Sequence, residues 1–379
     1  MFKELIRFIR DTYRSEEFIP LHEPSFDGNE LEYVTDTINS TFVSSIGSFV
    51  TKFEENIASY TSSPCAVSAV NGTAALHISL KLAGVLPGDL VITQPLTFVA
   101  TCNAIKYCSA DPIFIDVDAK TLSLSPVALE RWLSENTFLD NDGFCRERRS
   151  NNIVRACVPV HTFGLPADLD GIGMVCEKWN LALVEDAAES LGSTINGKHT
   201  GTFGICGTLS FNGNKIITAG GGGMILLDNK LGQYAKHLTT TAKKPHIYEY
   251  FHDEVGFNYR LPNINAALGC AQLEGIDRFI SAKRALAKRY AEHLSDGDLE
   301  FVMERPDCRS NYWLNAVVCQ DLAHRDALLK ETNDAGVMTR PVWTLMNELP
   351  MYQGCTSGDL KVAKYLADRL VNLPSSVVK

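Results

Sequence analysis

The sequence predicts an α/β protein in which a large domain with a mostly parallel, doubly wound sheet precedes a smaller C-terminal α+β domain. Three observations carry this expectation. Short apolar runs of strand length alternate with amphipathic helical stretches over residues 65–238, the pattern of a parallel sheet covered by helices on both faces. Residues suited to ligand binding, Gly72, Phe98, His161, Asp186 and Lys215, fall at the carboxyl ends of those runs, where open α/β sheets bind their ligands. The chain has 379 residues and a break at Ser295-Asp-Gly297 after a long helix. This sets the large domain at 1–295, with an N-terminal segment 1–24, and the small domain at 296–379.

Taken in order, residues 2–14 form an amphipathic helix with Leu5, Ile6 and Ile9 on one face, able to dock on a neighbour or on the body. Residues 19–24 are extended. Helix 29–39 turns Leu31, Val34, Thr35 and Ile38 to one side, and helix 49–60 follows. Strand 65–70 runs into a helix that opens at Asn71-Gly72-Thr73 and closes at Gly84. Its free N–H groups form an anion site suited to phosphate, and Asn-Gly-Thr serves equally as a plain cap. Strand 90–94, a helix through Tyr107, strand 113–117, helix 126–136 and a charged surface insertion at 140–152 come next. Strand 154–160 ends at His161, and after helix 169–179 strand 181–184 ends at Glu185-Asp186. Strands 207–211 and 223–227 flank the Lys215 loop, and helix 228–238 leads into an irregular stretch over 243–262. Irregular segments of that length are usually functional or interfacial. Helices 264–273 and 278–294 lead to the small domain, with strands near 300–303 and 313–318 and helices 323–335 and 360–370.

The net charge of −10 argues against nucleic acid and acidic membrane surfaces as partners. Eleven cysteines without a C-x-x-C pair point to reduced thiols in a cytoplasmic protein. Nowhere do 18 apolar residues run together, so no membrane span is expected. His246 and His252 lack a third ligand at metal spacing, and no metal site is expected.

The chemistry centres on Ser210-Phe-Asn-Gly-Asn-Lys215, followed by four glycines at 220–223. A lysine between two buried strands loses water, which favours the neutral, nucleophilic amine a Schiff base requires. The glycines let backbone or a planar ligand approach closely. A hairpin with its lysine in water fits this stretch alone equally well. Gly171-Ile-Gly173 and the glycines of 201–207 mimic a dinucleotide fingerprint, but neither follows a strand and opens a helix. Asp186, Lys215, the Gly72-Thr73 helix start and the Phe98 ring are instead the parts pyridoxal phosphate needs: a partner for the pyridine nitrogen, an imine lysine, a phosphate cradle and a stacking ring. Ser210 adds a hydroxyl to the cradle.

Asn71-Gly-Thr-Ala-Ala-Leu-His77, Gln94-Pro-Leu-Thr-Phe98, Val184-Glu-Asp-Ala-Ala-Glu-Ser190, Ser210-Phe-Asn-Gly-Asn-Lys215 and Gly256-Phe-Asn-Tyr-Arg-Leu-Pro262 resemble the successive motifs of the DegT/DnrJ/EryC1/StrS sugar aminotransferases, over about residues 19–374. The resemblance implies a fold-type I, pyridoxal phosphate-dependent homodimer with active sites at the subunit interface. It implies amino transfer from L-glutamate to a nucleotide-linked keto-sugar. Carried over, Lys215 is the cofactor lysine, Asp186 the pyridine partner and Phe98 the stacking ring. Gly72, Thr73, Ala74 and Ser210 form the phosphate cradle with Asn212 beside them, and Asn258 reaches the phosphate from the neighbouring subunit. Glu189 stands near the cofactor hydroxyl where many members have His or Gln. The segments 237–243, 311–315 and 339–347 resemble the legionaminic acid and bacillosamine branch. That branch implies a 4-keto-6-deoxy-N-acetylhexosamine aminated at carbon four, and another keto-sugar such as that of GDP-perosamine is the alternative. A non-catalytic protein of the same fold would usually have lost Lys215 or Asp186. Candidates for substrate contact are His161, Lys243, Arg260, Tyr312, Trp313 and Arg340.

Overall fold

The computed structural model describes residues 1–378. The large domain is organised by seven strands: β1 (Cys65–Ala69), β2 (Leu90–Thr93), β3 (Asp111–Phe114), β4 (Val154–Val158), β5 (Ala182–Asp186), β6 (Cys206–Ser210) and β7 (Gly223–Leu227). They lie in the spatial order β1-β7-β6-β5-β4-β2-β3. Neighbours from β6 to β3 pair parallel, and β7 alone runs antiparallel, between β1 and β6. The reversal has a local cause. β6 and β7 are consecutive and joined by the Lys215 loop, so the second strand returns alongside the first, with Ser210 opposite Gly223.

Helices cover both faces, as the strand–helix alternation requires. α1 is Lys3–Tyr13, α2 Glu30–Asn39, α3 Ser48–Thr61, α4 Gly72–Leu82, α5 Val99–Tyr107, α6 Pro126–Asn136, α7 Leu169–Lys178, α8 Asn229–Thr239, α9 Asn263–Glu274 and α10 Ile276–His293. One face packs Leu76, Ile78 and Leu80 of α4, Ile105 of α5 and Leu238 of α8 on Val67, Val158 and Ile225. On the other, Phe53 of α3 and Cys270 of α9 meet Leu209 and Leu226, while Leu133 of α6 and Ile172 of α7 meet Ile92 and Leu183. Gly171 and Gly173 lie inside α7, away from any pyrophosphate turn. Among the described residues no helix is long and apolar enough to cross a membrane.

The small domain pairs β8 (Glu300–Phe301), β9 (Asn315–Val318), β10 (Arg340–Pro341) and β11 (Leu370–Leu373) in the order β8-β9-β11-β10, all antiparallel, with α11 (Leu322–Asp334) and α12 (Lys361–Ala367). The expected helix 360–370 therefore stops early, and its end becomes the inner strand β11. Phe2, Leu5, Ile9 and Ile19 share one apolar cluster with Leu286 and Tyr290 of α10 and with Val317, Leu328 and Val371, so α1 docks on its own chain, between α10 and the small sheet.

α2 also differs from its apolar pattern. Leu31 is 81 % exposed and Ile38 faces solvent, whereas Glu30 and Thr37 are buried. Polar bonds explain the choice of face: the Gln272 amide donates to Glu30 Oε1 at 2.6 Å, and Asn29 and Tyr33 donate to Glu274. The insertion at 140–152 closes a small hairpin of Thr137–Leu139 with Cys145–Glu147. Residues 240–258 form an irregular hairpin held by bridges between Thr240 and Asn258 and between Lys243 and His252.

Candidate active site

The carboxyl ends of β5 and β6, the Lys215 loop, the start of α4 and the turn before α5 enclose a cavity of about 460 Å³. The N-terminus of α4 supplies its anion-binding wall. Asn71 caps the helix by accepting the Ala74 N–H at 2.8 Å, which leaves the Gly72 and Thr73 N–H groups toward the cavity. The Ala74 N–H is used by that cap, and Ala74 does not line the cavity. Glycine at 72 is dictated by closeness, because a Cβ there would stand 2.9 Å from the Ser210 Cβ. Gly223 plays the same part, since its Cβ would meet the Asn71 carbonyl oxygen at 2.5 Å. The corner between β1 and α4 can therefore press against β6 and β7, beside the Ser210 hydroxyl.

Strand period places the acids. Asp186 faces the cavity, where Oδ2 accepts the Thr101 hydroxyl at 2.8 Å and Oδ1 accepts the Ala188 N–H at 3.2 Å. Its neighbour Glu185 points to the opposite face and is fully buried. It accepts the Gly201, Phe203 and Gly204 N–H groups at 2.6, 2.6 and 2.8 Å. Burial opposes its ionisation, yet the His161 imidazole and the Gly204 and Gly201 N–H groups outweigh that and hold the carboxyl below its usual range. His161 belongs to this buried network. Its Nδ1 accepts the Ala167 N–H at 3.0 Å, so the proton sits on Nε2, 3.2 Å from Glu185 Oε2. The ring does not line the cavity, and its place at a strand end did not reveal that.

Lys215 turns inward, with its side chain 13 % exposed. Nζ lies 4.0 Å over the Trp313 ring and 3.4 Å from Glu189 Oε1. The loop is a hairpin, as the second reading of this stretch allowed, but its lysine is directed into the protein. Glu189 is buried and accepts the Phe163 N–H at 2.8 Å. Asn311 fixes this wall: its amide donates to the Glu189 and Leu191 carbonyls at 2.9 Å each, and its Oδ1 accepts the Trp313 N–H at 2.8 Å.

Phe98 and Asn212 also line the cavity. Of the candidates for substrate contact, Trp313 alone does so. Lys243 covers the Tyr250 ring, Arg260 donates to Asn258 Oδ1, Tyr312 accepts the Glu304 N–H, and Arg340 is exposed on β10. Asn258 is exposed and outside the chain's own cavity. The sequence reading assigned no role to Thr101 or Trp343. Thr101 lies one helical turn beyond Phe98 and could have been found by that spacing. Trp343 comes from the small domain and packs edge-on to Phe98 at 6.5 Å.

A buried carboxylate, an inward lysine and a helix N-terminus on one cavity form a constellation found in many aminotransferases, and comparison with known proteins decides the family. The DegT/DnrJ/EryC1/StrS aminotransferase family profile matches residues 24–378. The chain belongs to that family. It is 36 % identical over 360 residues to GDP-perosamine synthase of Escherichia coli O157:H7, covering 95 % of this chain and 93 % of that one. It is also 36 % identical to EpsN of Bacillus subtilis, named a pyridoxal phosphate-dependent aminotransferase, over 88 % of this chain and 84 % of the other. The solved aminotransferase TlmJ from Streptoalloteichus hindustanus superposes with a TM-score of 0.83 at 28 % identity, covering 94 % and 93 % of the two chains. The enzyme is a pyridoxal phosphate-dependent sugar aminotransferase of the DegT/DnrJ/EryC1/StrS family. The cavity fits the cofactor: the α4 start at Gly72 and Thr73 and the Ser210 hydroxyl line it for a phosphate, and a carboxylate and an amine line the same space.

Proposed function

We propose that the chain transfers an amino group from L-glutamate to carbon four of a nucleotide-linked 4-keto-6-deoxy sugar, a GDP-linked hexose being favoured. The placement of Lys215 and Asp186 on one cavity beside the α4 N-terminus carries the amino-transfer assignment. The likeness to GDP-perosamine synthases favours the GDP-linked sugar. A second reading, a UDP-linked N-acetylhexosamine on the way to legionaminic acid or bacillosamine, rests on the motifs at 311–315 and 339–347.

Pyridoxal phosphate, when bound, supplies an electron sink for carbanion formation at the amino carbon. The chain's residues do the rest. The Gly72 and Thr73 N–H groups and the Ser210 hydroxyl take the phosphate. Asp186, oriented by Thr101 and Ala188, holds a proton at the pyridine nitrogen. Lys215 would anchor the cofactor through Nζ, and its free amine would be the group placed to hold and give up a proton there. Phe98 would stack on the pyridine ring, with Trp343 packed edge-on beside it.

The working unit is a homodimer with shared sites. The hairpin at 240–258 projects Ile247, 96 % exposed, with Tyr248, Tyr250 and Phe251. Leu31, Ile38, Phe42 and Ile46 are exposed as well. A surface this apolar suits a second copy of the chain, which would bring Asn258 to the neighbour's phosphate.

Purified enzyme, L-glutamate and either GDP-4-keto-6-deoxymannose or UDP-4-keto-6-deoxy-N-acetylglucosamine, with mass spectrometry of the product, test the assignment. Amination of the GDP sugar supports the first reading, and amination of the UDP sugar alone replaces it with the second. Amination of neither overturns both.

A further inference from the structure

Trp313 stands among the residues the sequence offers for substrate contact, yet its bonds run toward the lysine. The indole N–H donates to the Asn214 carbonyl at 2.6 Å, on the residue before Lys215, and the ring lies 4.0 Å beneath Nζ. Both contacts matter because the loop tip has little packing of its own. Asn212, Gly213 and Asn214 are exposed, and a Cβ on Gly213 would meet nothing within 4 Å. The turn itself is closed by the Lys215 N–H on the Asn212 carbonyl at 3.0 Å. A lysine has a long, flexible stem, so such a tip alone would leave the direction of its amine open.

Trp313 can serve as an anchor because its own backbone is fixed on both sides. Its N–H donates to Asn311 Oδ1 at 2.8 Å, and the Asn311 amide donates in turn to the Glu189 and Leu191 carbonyls. Its carbonyl accepts Lys283 Nζ at 3.1 Å, and Lys283, fully buried on α10, also donates to the Ser375 carbonyl. The preceding residue, Tyr312, holds a φ of 46°, a left-handed conformation uncommon for a bulky side chain. The Ser310 hydroxyl secures it by accepting the Tyr312 N–H at 3.0 Å, and the Tyr312 hydroxyl accepts the Glu304 N–H at 3.1 Å. Strained backbone persists only where its surroundings over-determine it, and it clusters at functional sites. Here it immediately precedes the ring that meets Lys215.

We propose that Trp313 is a positioning residue for Lys215 rather than a contact for the sugar: its indole N–H holds the carbonyl that leads into Lys215, and its ring closes the space beneath the amine. A side chain from the small domain thereby sets the direction in which Nζ enters a cavity built by the large one. The role is distinct from the substrate question and rests only on Lys215 as the attachment point.

The test is capture of pyridoxal 5′-phosphate by the apoenzyme, in which Nζ condenses with the aldehyde and water leaves. Visible absorbance follows the rate, and borohydride trapping with peptide mass spectrometry locates the adduct. Trp313→Phe keeps an aromatic face and loses the N–H, and it should slow capture on the order of tenfold, since a displaced amine attacks poorly. Pyridoxamine 5′-phosphate has no aldehyde to condense with a lysine, so its affinity reports the cavity without the amine. That affinity should stay within about twofold of wild type, because the α4 start, Ser210 and Asp186 are untouched. A merely structural role would lower both quantities together. Capture at the wild-type rate, or equal losses in the two measurements, overturns the proposal. Should Trp313→Phe not accumulate as folded protein, replacement of Trp313 by its benzothienyl isostere, which exchanges the N–H for sulfur at nearly constant shape, is read the same way. An adduct at another lysine in the wild type overturns the assignment of Lys215 itself. An adduct at Lys215, with unaltered capture and a raised KM for the sugar in the variant, overturns the positioning role alone and returns Trp313 to substrate contact.

Discussion

Lys215 Nζ lies 3.4 Å from Glu189 Oε1, and both side chains line the cavity. Burial raises the Glu189 pKa above the usual carboxylate range, while Lys215 and the Phe163 N–H work against the rise and Asp186 adds to it. A carboxyl whose folded pKa exceeds its unfolded one contributes stability below the unfolded pKa and loses it as pH rises through the folded pKa. Glu189→Gln keeps the shape and the acceptor for Phe163 but never ionises. Its thermal midpoint in the apoenzyme should gain on wild type, by a few degrees or so, as pH rises from about 4 to about 8. A gap independent of pH would remove the buried charge as the cause.

Lys215→Ala should abolish amino transfer and leave the fold intact. It removes the cofactor anchor and the group that moves the proton, a loss on the order of a thousandfold or more. The Trp313 ring and Glu189 keep their places through Asn311, so the wall should not collapse. Single-turnover assays decide: transfer within about tenfold of wild type would sink the assignment.

Asp186→Asn separates binding from chemistry. The amide can still meet the Thr101 hydroxyl and the Ala188 N–H, now at 2.8 and 3.2 Å from the carboxylate, but cannot hold a proton on the pyridine nitrogen. The rate per bound cofactor should fall by at least about a hundredfold while occupancy changes little. Thr101→Val, which removes one bond to Asp186, should cost about tenfold in the same measurement. Collapsed occupancy with a surviving rate would make Asp186 a structural carboxylate.

The legible part of the site lies where chemistry and strand ends coincide. Asp186, Lys215 and the Gly72 turn could be read because a strand-end carboxylate, a lysine between buried runs and a glycine forced by close backbone each leave a local trace. His161 shows the limit. Its position matched a ligand site, but its side chain turned to Glu185, and only the partner across the sheet decides that. α2 misled for a related reason: its apolar residues mark an outward surface, and the bonds from Gln272 to Glu30 and from Tyr33 to Glu274 chose the buried face. Trp343 reaches the cavity by tertiary folding of the small domain, and the end of the expected last helix became β11 because β9 and β10 needed a central partner. The parallel strands followed from alternation with helices, while the single antiparallel strand goes with the absence of any helix between Ser210 and Gly223 to carry the chain across the sheet.

Acid should unfold the large domain partly through Glu185. Its folded pKa is depressed despite burial, chiefly by His161 and the Gly204 and Gly201 N–H groups. A depressed carboxyl contributes stability above its unfolded pKa and loses it as pH falls through the folded pKa. The loss should begin below about pH 4.3 and deepen toward the folded value. Glu185→Gln should cost about 3–5 kcal/mol at neutral pH, because three N–H donors and the imidazole lose their anion. Its stability should depend less on pH in the acid range. Denaturant titrations at several pH values give both quantities, and parallel acid arms for the two proteins would exclude Glu185 as a source.

Mixing experiments address the shared site. Asn258 is exposed, its side-chain Oδ1 accepting from Arg260 of its own chain, with Nε at 3.1 Å, and it lies outside the cavity lined by Gly72, Thr73 and Ser210. If it serves the neighbour's phosphate, Lys215→Ala and Asn258→Ala are lesions of different sites. In a mixed dimer, one site holds both defects and the other has a native lysine and a native asparagine. Random pairing makes half the dimers mixed, so activity should rise on mixing to roughly a quarter of wild type. The assay is run at a cofactor concentration where Asn258→Ala alone is nearly inactive, and subunit exchange is verified by native mass spectrometry. With exchange verified, activity that never exceeds the average of the two parents would assign Asn258 to its own chain or to no site, and the projecting hairpin would then contribute only contact area.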